Sequence, residues 1–424
     1  MIWVIIVLNN NLSMSEILSG TENRKLTIAM FSDTFPPDIN GVSVAVSTLK
    51  SSLEAAGHTV YVVTPTEQTA FSGKIEVDEN NVIRIPGIKL NRLYGYRIAR
   101  PVSVSAYKLL KSLNIDICHV HTEFSMRFIA SAFCNGNKIP MVYTYHTMYE
   151  DYTHYVTKGH AEKFARRVVR WLSYMYAHGV SAVIAPTDKT KEALLSYNIK
   201  NEIFVIPSGI NTAQIKRSNF SEQQITALKK EYGIEDKFTM VYLGRLAEEK
   251  NVTLLIEAMR KFKETNDNFA LLVVGYGPDY DRLVAMADKL GLSDRVFFTG
   301  KVPHDKIGLY YSLGDVFVSA STSETQGLTY IEAMAAGLPV IAKRDKCLDG
   351  VVTDGKNGYQ FDDIDDYCGK IADFSAFDKA RIAQMSENAF ETAEGYSLEN
   401  TANKISAVYN LFIESNKQIA KKED

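Results

Sequence analysis

The stretch SETQGLTYIEAMAAGLPVI, residues 323–341, holds two carboxylates, Glu324 and Glu332, with seven residues between them. Glu324 falls in a small polar turn, 321–327. Glu332 lies inside a helix-like run, 330–336, that stops at Gly337 with Pro339 close behind, and a strand-like Val340-Ile341 follows. The backbone N–H groups of Gln326, Gly327 and Leu328 belong to the unsatisfied first turn, where an anion is welcome. A turn, a helix start and a carboxylate two turns in can grip a polyhydroxy ligand at two places. The arrangement suits a sugar joined to an anion.

Outward from this stretch the chain alternates short apolar runs with helical ones. Strands are expected at 26–31, 60–63, 115–120, 141–145, 182–185 and 203–206, with helices at 42–56, 124–136 and 188–197. A second series of strands begins at 238–243 and continues at 271–274, 296–298, 316–319 and 340–342. Helices at 252–264, 278–290, 304–313 and 327–336 separate them. Two such series read as two doubly wound α/β domains with buried parallel sheets. The joint is expected in the polar segment 207–236. A closing amphipathic helix over 398–416 ends in a charged tail, 417–424, expected to be solvated.

At 424 residues, two cores are expected. Hydrophobic content of 46% and charge of 23% exclude a disordered or fibrous chain. The net charge of −3 is uneven: residues 1–200 carry 21 Lys+Arg against 16 Asp+Glu, and residues 201–424 carry 26 against 34. The four cysteines form no C-x-x-C pair, which fits a reduced cytoplasmic compartment better than a disulfide framework. No histidine spacing marks a metal site. The apolar opening run is too short to span a bilayer and lacks a basic flank, so residues 1–24 are expected to be a disordered leader, or an artefact of a start codon upstream of Met14.

Three loops carry candidate chemistry. Gly41, after Pro36-Pro37-Asp38-Ile39-Asn40, opens the first helix and would let a ligand approach its N-terminus; a plain turn reads equally well. The loop lacks the G-x-G-x-x-G dinucleotide pattern. Gly244-Arg245-Leu246-Ala247-Glu248-Glu249-Lys250 follows the first strand of the second series. Its cations, Arg245 and Lys250, stand where parallel sheets bind ligands and could hold a diphosphate, although loop cations are commonly just solvated. His119, His121 and His146 end two strands of the first series and imply a polar pocket; a metal site is the rival reading, without carboxylates to support it.

Between Glu79 and Asp116 there is no acidic residue, but seven basic ones: Arg84, Lys89, Arg92, Arg97, Arg100, Lys108 and Lys111. Leu93, Tyr94 and Tyr96 are interleaved. Such a stretch suits an anionic bilayer, each nearby cation adding about 1 kcal/mol. The helix-like run 162–176, EKFARRVVRWLSYMY, mixes basic and aromatic residues too, but reads first as core packing.

Glu324-x7-Glu332, the Gly244–Lys250 loop, the Asn40-Gly41 turn and Tyr145-His146-Thr147 together resemble the retaining glycosyltransferases of family 4, over residues 28–411. The resemblance implies the GT-B architecture: two Rossmann-like domains facing across a cleft. Residues 25–206 would be the acceptor and membrane side, with 398–416 packing back on it, and residues 207–397 would bind a nucleotide sugar. It implies that Glu332 holds the ribose hydroxyls, and that Glu324 with Gln326, Gly327 and Leu328 binds the sugar. Arg245 and Lys250, following Gly244, would bind the diphosphate, and the Lys301-Val302 backbone would meet the base. His146 would lie near the transferred sugar and Gly41 near the donor phosphate. Attack on the face of departure is implied, with no metal, no cofactor and no nucleic-acid partner.

Within the family, residues 323–352 and 143–156 are most similar to bacterial diacylglycerol glucosyltransferases, with Gln326 where the wider family commonly has Phe. That branch implies UDP-glucose as donor, 1,2-diacylglycerol as acceptor, a monoglucosyldiacylglycerol product, and a peripheral position at the inner face of the cell membrane. Rival readings are a transferase using GDP-mannose and phosphatidylinositol or a soluble sugar, a sugar-nucleotide 2-epimerase, and a binding module without chemistry. The epimerase would call for extra cleft carboxylates, which the sequence does not locate.

Overall fold

A computed structural model describes residues 24–38, 40–66, 74–89, 97–99, 104–146, 162–265 and 268–423. The expected leader, and Arg92 and Arg100 of the basic stretch, lie outside the described residues. So do the side chains of Lys89 and Arg97. The chain divides into two compact units, one made of residues 1–209 and 398–424 and the other of residues 210–397.

The first unit is built on one sheet of order β10-β9-β8-β7-β1-β2-β4-β3. Its strands are β1 (Thr27–Phe31), β2 (Thr59–Pro65), β3 (Glu76–Val77), β4 (Val82–Ile85), β7 (Ile117–Val120), β8 (Met141–Thr144), β9 (Ala182–Ala185) and β10 (Glu202–Val205). Every neighbouring pair is parallel except β3 and β4. A separate hairpin joins β5 (Gly87–Lys89) to β6 (Arg97–Ala99), antiparallel with Ile88 opposite Ile98. The strands of the main sheet run almost unbroken in apolar residues because both faces are covered.

On one face lie α2 (Val104–Ser112), α3 (Ser125–Asn137), α4 (Glu162–Ala177) and α5 (Asp188–Ser196), around Phe31, Ile85, Leu110, Phe133, Tyr143 and Tyr145. The other face is covered by α1 (Gly41–Ala55) and by the last helix of the chain, Leu398–Glu423, around Met30, Val46, Leu53, Val408 and Phe412. Asn40 caps α1, its side chain accepting from the Ser43 N–H, and Thr187 caps α5 in the same way from Thr190. The last helix is pinned by two buried polar contacts, His58 Nε2 to Ser406 Oγ at 2.9 Å and His119 Nδ1 to the Tyr409 hydroxyl at 2.6 Å.

The second unit has a wholly parallel sheet of order β13-β12-β11-β14-β15-β16. Its strands are β11 (Phe238–Leu243), β12 (Phe269–Val274), β13 (Val296–Gly300), β14 (Val316–Ser319), β15 (Val340–Lys343) and β16 (Gly358–Phe361). Its helices continue the series as α6 (Thr212–Ile215), α7 (Glu222–Tyr232), α8 (Val252–Thr265), α9 (Tyr280–Lys289), α10 (Ile307–Tyr311), α11 (Leu328–Ala335), α12 (Ile364–Ser375) and α13 (Lys379–Glu394), so that the last helix of the chain is α14. Ser221 and Gln224 form a reciprocal capping box on α7, and Gly233 ends that helix in the left-handed region at φ 64°.

Three expectations are corrected. The helix over 304–313 is a 3₁₀ turn, His304–Lys306, followed by α10, whose C-cap is Ser312. The closing helix, expected over 398–416, runs on as α14 to Glu423. The 162–176 helix forms as α4, but Phe164, Trp171 and Tyr174 are not in the core. Phe164 is 67% exposed and Trp171 57%, and it is Ala165, Val169, Leu172, Ser173 and Tyr176 that turn inward.

The histidines give this fold an acid limit. His119 is fully buried, with Nε2 2.6 Å from Thr144 Oγ1 and Nδ1 on Tyr409, and burial, reinforced by His146, lowers its imidazole to about 3. A histidine whose folded value lies below its unfolded one stabilises the fold fully above about pH 6.5, and that stability is lost as pH falls toward the folded value. The slope is about 1.4 kcal/mol per pH unit. Melting followed by circular dichroism should therefore show the wild-type Tm dropping between pH 6.5 and 4.5. His119→Gln should be less stable at pH 7 but flatter across that range; an equal slope in both chains would contradict the assignment.

Candidate functional site

In the second unit the chain leaves β11 toward β12 on one side and leaves β14 toward β15 on the other. The carboxyl ends of β11 and β14 are thus neighbours whose loops diverge, the crevice where open parallel sheets bind ligands. The loop after β11 is Gly244–Lys250, and the loop after β14 is the acidic turn ending at Gly327. They are tied by backbone, since the Thr322 N–H donates to Glu249 O at 3.1 Å, and by charge, since Lys250 Nζ lies 2.6 Å from Glu324 Oε1. Both side chains of that pair are mostly buried.

The cationic loop is held against the next one. Gly244 N–H donates to Val274 O, Leu246 N–H to Tyr276 O, and Asp279 N–H to Leu246 O. A Cβ on Gly275 would sit 1.9 Å from Gly244 O, and one on Gly277 would sit 2.1 Å from Leu246 O. Only glycine allows this approach. The Tyr242 hydroxyl donates to Arg245 O, which fixes the backbone while the Arg245 side chain stays exposed. Gly275 and Gly277 escape a sequence reading because each acts on a residue distant in the chain.

Gly327, at φ 72°, starts α11 with no side-chain cap, and a Cβ there would lie 2.3 Å from the Tyr330 ring. In the first turn the Tyr330 N–H donates to Gly327 O at 3.1 Å, while no N-cap side chain takes the N–H groups of Leu328 and Thr329, which can meet an acceptor. Gln326 is buried just before them. Ser321 Oγ and Ser323 Oγ are buried with no hydrogen-bond partner among the described residues, so two hydroxyls beside Glu324 have unused capacity. The turn's polar composition hinted at this, but only folding shows which hydroxyls are orphaned.

Glu332 stands on α11, where its Oε2 accepts from the Tyr311 hydroxyl at 3.0 Å and its Oε1 is 4.0 Å from His304 Nε2. Burial raises its carboxyl to about 7, against the lowering effect of the Tyr311 hydrogen bond. Val302, on the loop after β13, is partly buried against the same core as Leu328. The second unit thus assembles Gly244, Arg245, Lys250, Glu324, Gln326, Gly327 and Leu328 on two tied loops. Glu332 follows on the helix they start, and Val302 lies on the loop that also carries His304.

His146 and Gly41 belong to the first unit, whose sheet has its own divergence between β1 and β7. There Asp33, unremarked in the sequence, accepts from Thr122 Oγ1, Ser125 Oγ and the Met126 N–H. Burial raises its carboxyl, opposed by those hydrogen bonds. Gly41 is exposed, and a side chain there would meet open space. His146 Nε2 lies 3.0 Å from His121 Nδ1, and both line a cavity with Thr48, Ser52, Ser208 and Thr401. Burial lowers His146 to about 4 and, with its two neighbours, holds His121 well below the usual range, so the imidazoles are neutral. His121 Nε2 has no partner among the described residues. Both nitrogens of His119 are engaged by Tyr409 and Thr144, which removes it as a metal ligand and disfavours the metal reading of the three. Among the described residues no group of three His, Cys, Asp or Glu is placed to hold a metal ion.

Of the basic stretch, Lys108 and Lys111 are exposed on α2. Arg84 instead donates to Pro36 O at 2.8 Å and serves the loop after β1.

Residues 39–214 match the model of Glycosyltransferase Family 4, and residues 224–392 that of Glycosyl transferases group 1. The chain is 36% identical over 404 residues to the alpha-monoglucosyldiacylglycerol synthase of Acholeplasma laidlawii, covering 94% of this chain and all of that one. It is 35% identical over 347 residues to the protein of the same name from Streptococcus pneumoniae, covering 82% and 77%. Sucrose-phosphate synthase from Thermosynechococcus elongatus shares the fold with a TM-score of 0.72 at 21% identity, over 92% of this chain and 100% of that one. Two parallel sheets, each with divergent loops at the centre, and likeness along nearly the whole length converge: this chain belongs to the family 4 glycosyltransferases with the GT-B fold.

Proposed function

We propose that the chain transfers glucose from UDP-glucose to 1,2-diacylglycerol with retention of configuration, at a membrane surface and without a metal ion. The observation that carries this reading is the Lys250–Glu324 contact beside the uncapped start of α11, at the divergence of β11 and β14. One crevice there offers cations, open N–H groups and carboxylates, the complement of a sugar diphosphate. The full-length likeness to alpha-monoglucosyldiacylglycerol synthases supports the sugar and the lipid acceptor.

In this reading the diphosphate competes with Glu324 for Lys250, and the displaced carboxylate turns to the sugar hydroxyls. Gln326, Gly327, Leu328 and the orphan hydroxyls of Ser321 and Ser323 share that sugar. Arg245 and Lys250 stabilise the charge that accumulates on the leaving phosphate as the anomeric bond breaks. The acceptor hydroxyl attacks on the same face and gives its proton to that phosphate, so no metal is needed. Glu332 accepts from the ribose hydroxyls, and the Val302 backbone meets the base. For His146 and Gly41 the reading keeps the roles the family pattern assigns.

Three outcomes test the reading. Labelled UDP-glucose with diacylglycerol in anionic liposomes should give a glycolipid, and transfer to a soluble sugar instead would overturn the acceptor. Lys250→Ala should lower kcat by about 10²-fold or more, with a stability loss of about 1–3 kcal/mol, because the mostly buried Glu324 loses that cation; unchanged turnover would remove Lys250 from the phosphate site. A carboxyl near 7 accepts two ribose hydroxyls only when ionised, so UDP measured by calorimetry should bind more tightly at pH 8 than at pH 6. Glu332→Gln should abolish that difference, and a difference that persists would place the titrating group elsewhere.

A further inference from the structure

The helix α4 has three faces: one packs toward the sheet, one is apolar and outward, and one carries cations, of which Arg170 lies over the Tyr197 ring with 5.6 Å to its centroid. Ala165, Val169, Leu172, Ser173 and Tyr176 turn toward the sheet, where Ser173 Oγ meets the Tyr145 hydroxyl at 3.2 Å. The Arg127 side chain of α3 holds the far end of α4, donating to Tyr176 O and to His178 O. A second stripe, Phe164, Val168, Trp171 and Met175, repeats at i, i+4, i+7 and i+11 and faces outward, with Phe164 67%, Trp171 57% and Met175 39% exposed. Beside it runs a third arc of exposed cations, Lys163, Arg166, Arg167 and Arg170. The sequence from Lys163 to Ala177 contains no acid.

The neighbouring helices extend this face. α3 exposes Phe124 and Phe128 at its start, and α2 exposes Val104, Lys108 and Lys111. α2 is fixed to α3 by the Tyr107–Phe133 ring contact, centroids 5.6 Å apart, and by Asn137 Nδ2 donating to the Tyr107 hydroxyl.

We propose that the outer face of α4, continued by α3 and α2, seats this chain on an anionic lipid bilayer, with Phe164, Trp171 and Met175 entering the interface and the cations meeting the headgroups. The proposal deepens the glycolipid reading and rests on it for the location of the acceptor. Charge complementarity selects the occupant. A second copy docked through a two-fold contact would bring the same acid-free cationic arc against itself, which is repulsive. An apolar stripe with cations along one side instead matches a surface that is negative outside and hydrocarbon beneath.

Trp171 supplies its own reporter, because the only other tryptophan is Trp3. In the full chain carrying Trp3→Phe, vesicles of phosphatidylglycerol and phosphatidylcholine should shift the Trp171 emission to the blue, and lipids brominated in the upper acyl chain should quench it. Phe164→Asp with Trp171→Asp should weaken co-sedimentation with those vesicles roughly tenfold or more, at an unchanged Tm and with transfer to detergent-dispersed diacylglycerol retained. Lys163→Glu with Arg167→Glu should weaken vesicle binding and remove its salt dependence. Wild-type co-sedimentation by the aspartate variant, or an unshifted Trp171 in vesicle-bound chain, would overturn the docking face. Lipid-free self-association that shields Trp171 from iodide would overturn it in favour of a second copy. If Trp171 inserts but no glycolipid forms in detergent, the docking face stands and the proposed acceptor falls.

Discussion

The site in the second unit depends on one topological constraint: β11 and β14 lie side by side while their following connections run in opposite directions. Two loops that would otherwise close over the strand ends are drawn apart, and each must be stabilised on its own side. The Gly244–Lys250 loop leans on Gly275 and Gly277, and the acidic turn leans on Tyr330 through the left-handed Gly327. The Thr322–Glu249 backbone bond and the Lys250–Glu324 pair then join the two. The candidate site residues here are positioned by backbone contacts that no side-chain motif spells out.

The same constraint separates two carboxylates that look equivalent on paper. Glu324 emerges before the helix and meets a cation. Glu332 sits within the helix, against a phenol and away from Lys250, where burial favours its protonated form. One carboxylate is therefore tied to charge that a diphosphate can take over, and the other to a neutral donor that leaves it an acceptor for hydroxyls. In the first unit the histidines show a related economy, since burial keeps all three uncharged while hydrogen bonds fix their rings.

Covering both faces of a parallel sheet consumes most apolar side chains of the first unit, which makes the exposed aromatics of α4 conspicuous. The helix already satisfies the core with small or half-buried residues, so Phe164 and Trp171 add nothing to internal packing. Their position beside an acid-free row of cations gives them a role directed outward, and the tether through Arg127 makes the helix a rigid base for it.

How much was legible follows from the range of each interaction. Buried strands such as 238–243 and 316–319 declare themselves because a strand covered on both faces must be apolar throughout, and a glycine followed by Pro339 ends a helix by local sterics alone. The same local physics placed Glu324, Glu332, Arg245 and Lys250 at strand and helix ends, and their order along the chain carried the family. Tertiary structure alone decided that Lys250 meets Glu324, that Tyr311 meets Glu332, that Arg84 turns to Pro36 rather than to solvent, and that α4 presents its aromatics outward. Each of these joins residues far apart in the chain, or chooses between two apolar stripes of one helix, and periodicity cannot say which stripe the core will take.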